Sequence, residues 1–337
     1  MERTYASTPA DVASRAAAAF IDSLACEALI ILRHRTRWAL ISPDTGGSVA
    51  AFFEVSPIGT VHHWLRPADA EALAACNPLG MASFPLMPYC NRLRDATFSF
   101  DGQTVDLSED GNAFPHALHG HAWRRPWQRE CDCGDQPLNT ATLLFTHEPE
   151  RATGKHWPYP YQAKQTFTLD ETGLHVTMQA RNTGSRSMPF GMGHHPYYPR
   201  TPRTTIRAKV RAMWAATPDL LPTDLTHHPV VEALATEQGI TADHVDLDNN
   251  FAGWQHTARI QWPETGRALR LDAAPPFNHL VIYAPMKQPH LLCVEPVSNT
   301  GDFLNLQPAQ GFDSVGGTVL APGETLTGRF SWIPEQA

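Results

Sequence analysis

Much of the chain alternates between apolar and polar residues with a period of two, which is typical of β-strands that bury one face. In YQAKQTFTLDETGLHVTMQARN, one face collects residues on both sides of a turn at 171–173: Ala163, Gln165, Phe167, Leu169, Leu174, Val176, Met178 and Ala180. A one-residue slip would expose this whole set, so the pattern predicts two antiparallel strands in a fixed register.

Similar patterns recur along the chain. The segment ATFSFDGQTVDL alternates around Asp101-Gly102, a dipeptide that favours a tight hairpin turn. ARIQWPETGRALRLDA repeats the pattern around Thr265-Gly266, while LVIYAP and LTGRFSWI indicate further short apolar strands. We therefore expect an all-β fold, with one large antiparallel domain and a few short helices.

Two segments favour helices instead. Residues 9–24 can form a short helix, because Thr8 or Ser7 can cap it, Pro9 suits its first turn and alanines follow. A second short helix is expected in RPADAEALAAC, over 66–76. No internal repeat, low-complexity linker or block of charge marks a domain boundary between these elements.

Composition narrows the class of protein. The chain has 337 residues, 42% of them hydrophobic and 18% charged, which is enough to bury a substantial core. A formal charge of −8 without basic runs argues against nucleic acid or an anionic membrane surface as partners. Asp22 and Glu27 interrupt the apolar N-terminal stretch, so we expect neither a signal peptide nor a membrane span. A cytoplasmic location is the expectation.

The cysteines do not indicate a disulfide framework. The six are irregularly spaced, and they are Cys26, Cys76, Cys90, Cys131, Cys133 and Cys293. The pair in CDCG has one intervening residue, which is shorter than the spacing of zinc knuckles. We interpret the cysteines as reduced thiols with mostly structural roles.

Seventeen histidines leave three interpretations open: metal ligands, structural hydrogen-bonding groups, or acid–base catalysts. In LHGHAW, His119 and His121 would share a face if they lay on a strand, as paired metal ligands do. No matching Glu and His pair follows downstream at a recognisable spacing, so we expect no metal. Acid–base histidines need a partner carboxylate.

Other polar residues are candidates for such chemistry. In PYCNRLRDATF, Arg92 and Arg94 flank Leu93, so one guanidinium can enter a cleft while the other faces solvent. Glu295 follows the apolar run LLCV and precedes a proline, where a carboxylate is costly unless paired or reactive. The segment VDLDNNFAG contains Asp246 and Asp248, but it lacks the spacing of a calcium loop. Capping of a turn is the alternative to a functional role for either aspartate.

The stretch GMGHHPYYPR combines glycines, two histidines and a proline. Pro196 biases the preceding His195 toward an extended conformation. On a strand, His194 would then point to the opposite face, and we expect it to be structural.

Taken together, five segments resemble the aldose 1-epimerase (galactose mutarotase) family: FPLMPYCNRLRDATFSFDGQ, HALHGHAWRRPW, GMGHHPYY, DNNFAGW and CVEPVSNTGDFLN. LISPDTGGSVAAFF is similar to the family's opening strand pair, with Gly46-Gly47 at the turn. The resemblance covers about residues 28–334. It implies a large twisted antiparallel β-sandwich over 28–334, preceded by an extension over 1–27. It also implies a sugar cleft and interconversion of the α and β anomers of a free aldose, without a cofactor, by a monomer or homodimer.

The same resemblance implies roles for individual residues. It assigns the general acid to His195 and the general base to Glu295. It assigns sugar binding to Arg92 and His119, and to Asp248 by its spacing from Phe251, with Asp246 as the weaker choice. The chemistry agrees, because ring opening needs O1 deprotonated while O5 is protonated. We expect the two groups on opposite sides of the sugar, with nearby carboxylates keeping His195 charged.

Several points stay open at this stage. Trp123, Tyr197 and Tyr198 either cover the apolar face of a sugar or pack in the core. Tyr198 stands where galactose-active members of the family usually have phenylalanine, which bears on the choice of sugar. Arg124, Arg125 and Lys155 allow an acidic or phosphorylated sugar, or are ordinary surface charges. A sugar-binding protein without catalysis is the alternative from another functional class.

Overall fold

The structure is a computed structural model that describes residues 8–110, 115–130, 139–149 and 156–336. Cys131, Cys133 and Lys155 lie outside the described residues. The described cysteines are free thiols, as predicted, and they are Cys26, Cys76, Cys90 and Cys293.

Strands dominate the described residues. In chain order they are β1 (Ile30–His34), β2 (Arg37–Ser42), β3 (Ser48–Val55), β4 (Val61–His63), β5 (Ser83–Leu86), β6 (Arg92–Leu93), β7 (Thr97–Phe100), β8 (Gln103–Asp106), β9 (Ala117–Leu118), β10 (Gln128–Arg129), β11 (Thr140–His147), β12 (Tyr161–Leu169), β13 (Leu174–Asn182), β14 (Met188–Phe190), β15 (Gly193–Pro196), β16 (Thr205–Ala208), β17 (Ala212–Ala216), β18 (Pro222–Thr226), β19 (Ile240–Thr241), β20 (Leu247–Ala252), β21 (Thr257–Trp262), β22 (Arg267–Ala273), β23 (His279–Ala284), β24 (Cys293–Val297), β25 (Thr318–Leu320) and β26 (Thr325–Gln336).

Helices are few and short. The α-helices are α1 (Pro9–Ser23), α2 (Ala70–Ala74), α3 (Pro229–Ala235), α4 (Phe303–Gln310) and α5 (Phe312–Val315). Single 3-10 turns lie at Pro78–Gly80, Arg94–Ala96, Ala122–Arg124 and Ala242–His244. Within the described ranges, every helix is too short or too polar to cross a membrane.

Two large antiparallel sheets form the molecule, which confirms the predicted all-β class. One sheet runs β1-β2-β3-β5-β15-β24-β23-β20-β17-β18, with β4 added beside β3. The other runs β10-β11-β12-β13-β26-β22-β21-β16-β19. Their inner faces share one apolar core, in which Phe52 of the first sheet and Phe167 and Trp332 of the second are fully buried. The arrangement is therefore a β-sandwich.

The predicted strand pairs are present in the expected register. In β12 and β13, Ala163 lies opposite Ala180 and Leu169 opposite Leu174, and the whole predicted face is buried. Strands β7 and β8 flank the Asp101-Gly102 turn. Strands β21 and β22 flank Thr265-Gly266 in the same way.

Of the two predicted helices, the first begins where it was expected and the second is shorter than expected. Helix α1 begins as expected, with Thr8 and Asp11 forming a capping box. The second helix is shorter than the predicted 66–76, because Asp69 caps it by accepting from the Ala72 N–H. Before the cap, the Ala68 N–H donates to the Ala50 carbonyl, which keeps the entry segment extended.

The turn between β2 and β3 supports a segment that borders the site described below. Gly46 has a φ of +66°, and a Cβ added there would lie 1.8 Å from the Trp123 carbonyl oxygen. The backbone at Trp123 therefore packs directly on a position that only glycine can occupy.

We expect Gly46→Ala to destabilise the fold far more than Gly266→Ala. Both glycines have positive φ, but a Cβ at Gly266 would meet no atom within 4 Å. The control should therefore cost only the left-handed backbone penalty, about 1–2 kcal/mol, whereas Gly46→Ala adds a backbone clash. Urea unfolding of the two variants measures the difference. Equal losses of unfolding free energy would contradict the close packing at Trp123.

Candidate active site

Strand register brings the predicted catalytic residues together. Strands β15 and β24 pair antiparallel with Gly193 opposite Val297, and a bridge joins Tyr197 to Cys293. His195 and Glu295 therefore lie directly opposite each other on neighbouring strands, with their side chains on one face. The His195 Nε2 atom is 3.4 Å from Glu295 Oε1.

The two groups are thus side by side on one face of the sheet, and their placement relative to a sugar stays a prediction. Both are almost fully buried, with Glu295 2% exposed and His195 8% exposed.

Aromatic rings hold the His195 side chain in place. Phe84, opposite His195 on β5, stacks on the imidazole with centroids 4.7 Å apart. Tyr197 lies 4.8 Å from the same ring. Trp123 stacks behind Phe84 and is buried with it in one apolar cluster. The imidazole is therefore restrained by packing.

A strained turn holds His119 beside this pair. Asn91 and His119 both have φ of +61°, and the His119 N–H donates to the Asn91 carbonyl. In return, the Asn91 N–H donates to His119 Nδ1 at 3.0 Å. Since Nδ1 accepts, a neutral His119 carries its proton on Nε2 and can donate it to a ligand. The His119 ring lies 5.4 Å from that of His195.

Arg92 and Asp248 complete the cluster. Arg92 follows Asn91, whose side-chain oxygen accepts from the Arg92 N–H. The charges of Arg92 and Asp248 both act on Glu295. Asp246, the weaker choice, is exposed and accepts from the Met286 N–H. Arg92 and Asp248 therefore lie close enough to act electrostatically on Glu295, whereas Asp246 is exposed.

Burial controls the ionisation of the pair. It lowers the pKa of His195 to about 3. It raises the pKa of Glu295 well above its ordinary value, and the Asp248 charge adds to this effect while Arg92 opposes it. Burial also lowers the pKa of His119, again well below its ordinary value. This direction disagrees with the prediction that nearby carboxylates keep His195 charged, because the loss of solvation dominates its pKa.

The loop after β24 supports the Arg92 segment. Asn299 is fully buried, accepts from the Cys90 N–H and donates to the Cys90 carbonyl. Asp302, 1% exposed, accepts from the Arg94 N–H at 2.9 Å and from its guanidinium at 3.1 Å. Arg94 is therefore held by a buried carboxylate, and this pairing fixes the backbone that carries Arg92.

Two other predicted positions, His194 and Tyr198, lie away from the cluster. His194 faces the core between the sheets, where it bonds Ser83 and Gln165, as its expected structural role requires. Tyr198 is also in the core, where its hydroxyl accepts from Trp332 and donates to the Val294 carbonyl. Both bonds hold the Tyr198 hydroxyl in the core.

The paired-ligand hypothesis for His119 and His121 is also wrong. Strand β9 ends before them, and positive φ at His119 and Gly120 turns the chain. His121 consequently faces Tyr161 and His147 instead of His195.

Sequence reasoning missed several residues that lie around the His195–Glu295 pair. Phe84 lay inside a quoted motif but was not singled out, although its strand neighbours His195. Arg66 donates to the Leu79 and Met81 carbonyls, and its guanidinium lies 3.9 Å from the centre of the Tyr197 ring. No local pattern could have identified Arg66. Cys293 could have been found, because on a strand it shares the face of Glu295.

One group among the described residues has the donor atoms for a metal ion. Ligand atoms of His195, Cys293 and Glu295 all lie within 4.8 Å of one another. This group overlaps the pair described above.

Comparison with known proteins agrees with this arrangement. A family model described as aldose 1-epimerase matches residues 29–332. The uncharacterised protein YphB of Escherichia coli K12 is 28% identical over 297 residues, covering 86% of this chain and 92% of that protein.

Solved structures show the same fold. A candidate aldose 1-epimerase from Escherichia coli K12 superposes with a TM-score of 0.78 and 26% identity, covering 92% of this chain and 99% of the other. A galactose mutarotase-like protein from Clostridium acetobutylicum has a TM-score of 0.78 and 19% identity, covering 92% and 95%. Because the family model spans nearly all of the two-sheet sandwich and its site, the chain belongs to the aldose 1-epimerase family.

Proposed function

We propose that the protein interconverts the α and β anomers of a free aldose, with His195 and Glu295 as the proton-transferring pair. The observation that carries this proposal is the buried cross-strand pair, 3.4 Å apart, beside Arg92, His119 and Asp248. The family membership supports the same reaction class.

The side-by-side geometry suits this reaction. O1 and O5 of a pyranose are bonded to the same carbon, so an adjacent base and acid can reach both at once. In ring opening, Glu295 accepts the O1 proton while His195 donates a proton to O5, and the C1–O5 bond breaks to leave an aldehyde. After rotation about C1–C2, O5 adds to the other face of C1. His195 then recovers its proton from O5, and Glu295 returns one to O1.

The reaction requires the pair to hold one proton in total. Burial disfavours the charged forms of both groups. Sugar hydroxyls that donate hydrogen bonds to Glu295 stabilise its charged form, which moves the shared proton toward His195. Substrate binding itself would thus prepare the acid and the base.

The remaining side chains suit a polyhydroxylated ligand. His119 offers an Nε2–H donor because Asn91 occupies its other nitrogen. Arg92 adds guanidinium donors, and Asp248 supplies acceptor oxygens. We propose that these three bind sugar hydroxyls and the ring oxygen.

The alternatives receive less support. A protein that only binds sugar would not need a buried acid–base pair, whose desolvation is costly. An acidic or phosphorylated sugar would need a cation beyond Arg92 near the site, and the guanidinium of Arg66, which also acts on His195, already donates to the Leu79 and Met81 carbonyls. Arg125 instead lines a separate cavity with His121 and His147, while Arg124 lies over the Trp123 ring.

Replacing Glu295 by glutamine should lower the catalysed rate of anomer interconversion by about 10²–10⁴-fold, because the base is lost. Polarimetry or NMR on freshly dissolved α-anomers of glucose, galactose, xylose, arabinose and acidic sugars measures this rate. Glu232→Gln, an exposed carboxylate on α3, is the control and should behave as the parent protein. The proposal fails if the parent protein accelerates the interconversion of none of these sugars. It also fails if Glu295→Gln keeps full activity.

The pH profile of kcat/KM should be flat around neutrality, because the pair keeps one proton over a wide range. A second proton enters only near the lowered His195 pKa of about 3. The last proton leaves only above the raised pKa of Glu295. Rates of spontaneous mutarotation are subtracted at each pH. An acidic limb centred on the ordinary histidine value of 6.5 would contradict this ionisation scheme.

Replacing Asp248 by asparagine should move the alkaline limb to lower pH, since the Asp248 charge helps to raise the pKa of Glu295. KM should rise as well, because an acceptor for sugar hydroxyls is lost. The control is Asp246→Asn, at an exposed position on the same segment, which should change neither quantity. An unchanged KM together with an unchanged alkaline limb would remove Asp248 from the site.

A further inference from the structure

We propose that His195, Cys293 and Glu295 form a binding site for a thiophilic divalent cation such as Zn²⁺, and that the bound ion inhibits the protein. The inhibitory part rests on the proposed function, whereas the binding part rests on geometry alone. The site is not that of a cofactor, because the ion would occupy the two groups that must move protons.

The three ligands come from neighbouring strands of one sheet. Cys293 lies two residues before Glu295 on β24, so both side chains project from the same face. Cys293 is also opposite Tyr197, which places it diagonally across from His195. Strand pairing alone therefore sets the three side chains in a triangle.

The distances are close to those that one ion requires. All three ligand atoms lie within 4.8 Å of one another, and His195 and Glu295 are already 3.4 Å apart. Zinc binds at about 2.0–2.3 Å, so two of its ligands are at most about 4.6 Å apart. Small side-chain rotations are therefore sufficient to enclose an ion.

The donor types also match a thiophilic metal. Sulfur, imidazole nitrogen and carboxylate oxygen are the usual ligands of Zn²⁺, and three protein ligands leave a fourth position open for water. Binding releases the Cys293 thiol proton to solvent, together with the proton that the pair holds. The bound ion is then coordinated by the Cys293 thiolate, the neutral His195 imidazole and the Glu295 carboxylate. Neither His195 nor Glu295 is left free to transfer a proton. Asp248, which acts electrostatically on Cys293 and Glu295, adds negative charge that favours a cation.

The Cys293 thiol differs from an exposed thiol in how an ion can reach it. Cys293 has no exposed surface, but His195 retains 8% exposure. A small ion would therefore enter along the path that the sugar must use, and the two would compete. The exposed thiol of Cys76 offers no such ligand set among the described residues.

The binding experiment uses the full-length, metal-free protein titrated with Co²⁺ and then Zn²⁺. One equivalent of Co²⁺ should produce a thiolate-to-cobalt absorption band that Zn²⁺ abolishes. Calorimetry should give Zn²⁺ binding weaker by more than about 10- to 100-fold for Cys293→Ser and Cys293→Ala, since that is the usual cost of losing only a hydrogen-bond partner of a metal ligand. The control variants are Cys76→Ser and the double variant Cys131→Ser/Cys133→Ser, and both should bind like the parent protein. No thiolate band in the parent protein, or unchanged affinity in both Cys293 variants, would overturn the site.

The inhibition experiment measures anomer interconversion with Zn²⁺ present. Activity should fall as Zn²⁺ approaches one equivalent and should return when EDTA is added. Sugar should compete with the ion, so a higher Zn²⁺ concentration should be needed for half inhibition when sugar is present. Measured against its own metal-free rate, Cys293→Ser should lose Zn²⁺ sensitivity by the factor seen in binding. Zn²⁺ binding without loss of activity would overturn the inhibitory role. A protein that shows the cobalt band but accelerates no sugar would retain the metal site while the proposed function fails.

Discussion

Strands β15 and β24 pair antiparallel with Gly193 opposite Val297, and this register sets His195 against Glu295. Phe84 stacks on the imidazole from the other side because β5 pairs with β15 in the matching register. A slip of β15 by one residue would replace His195 by His194, and the same slip of β24 would turn Glu295 into the core. The chemistry of the site thus depends on the same hydrogen-bond ladder that holds the sheet together.

Desolvation is the second consequence of that placement. A carboxylate and an imidazole in the middle of a wide sheet lose most of their hydration, so each resists its charged form. Two neighbouring groups with pKa values shifted in opposite directions keep a single proton between them over a broad pH range. Burial would be unfavourable for an isolated charged group. For this pair, it keeps one exchangeable proton at the proposed sugar site.

Strand patterning made most of the fold predictable. The two-residue period predicted the β12–β13 pair and both hairpins, because a half-buried strand must alternate. The same alternation separated His194 from His195. It failed at His119 and His121, where positive φ reverses the chain and no strand exists. It could not find Arg66, whose contact with Tyr197 depends on a loop folding back through its bonds to the Leu79 and Met81 carbonyls.

The site therefore divides into two parts with different physical origins. Sheet register supplies the proposed proton-transferring pair, where a small error in position would disable both groups. On the proposed sugar side, Asp248 also lies in the large sheet, on β20, whereas Arg92 lies on the two-residue strand β6 and His119 follows β9. Bonds outside the large sheets fix the segments of Arg92 and His119: the Asn91 N–H donates to His119 Nδ1, and the Arg94 N–H donates to Asp302. Loop residues can be exchanged without disturbing the ladder. Substitutions in the segments around Asn91 and His119 should consequently change sugar preference in the proposed reaction without disturbing the pair on β15 and β24.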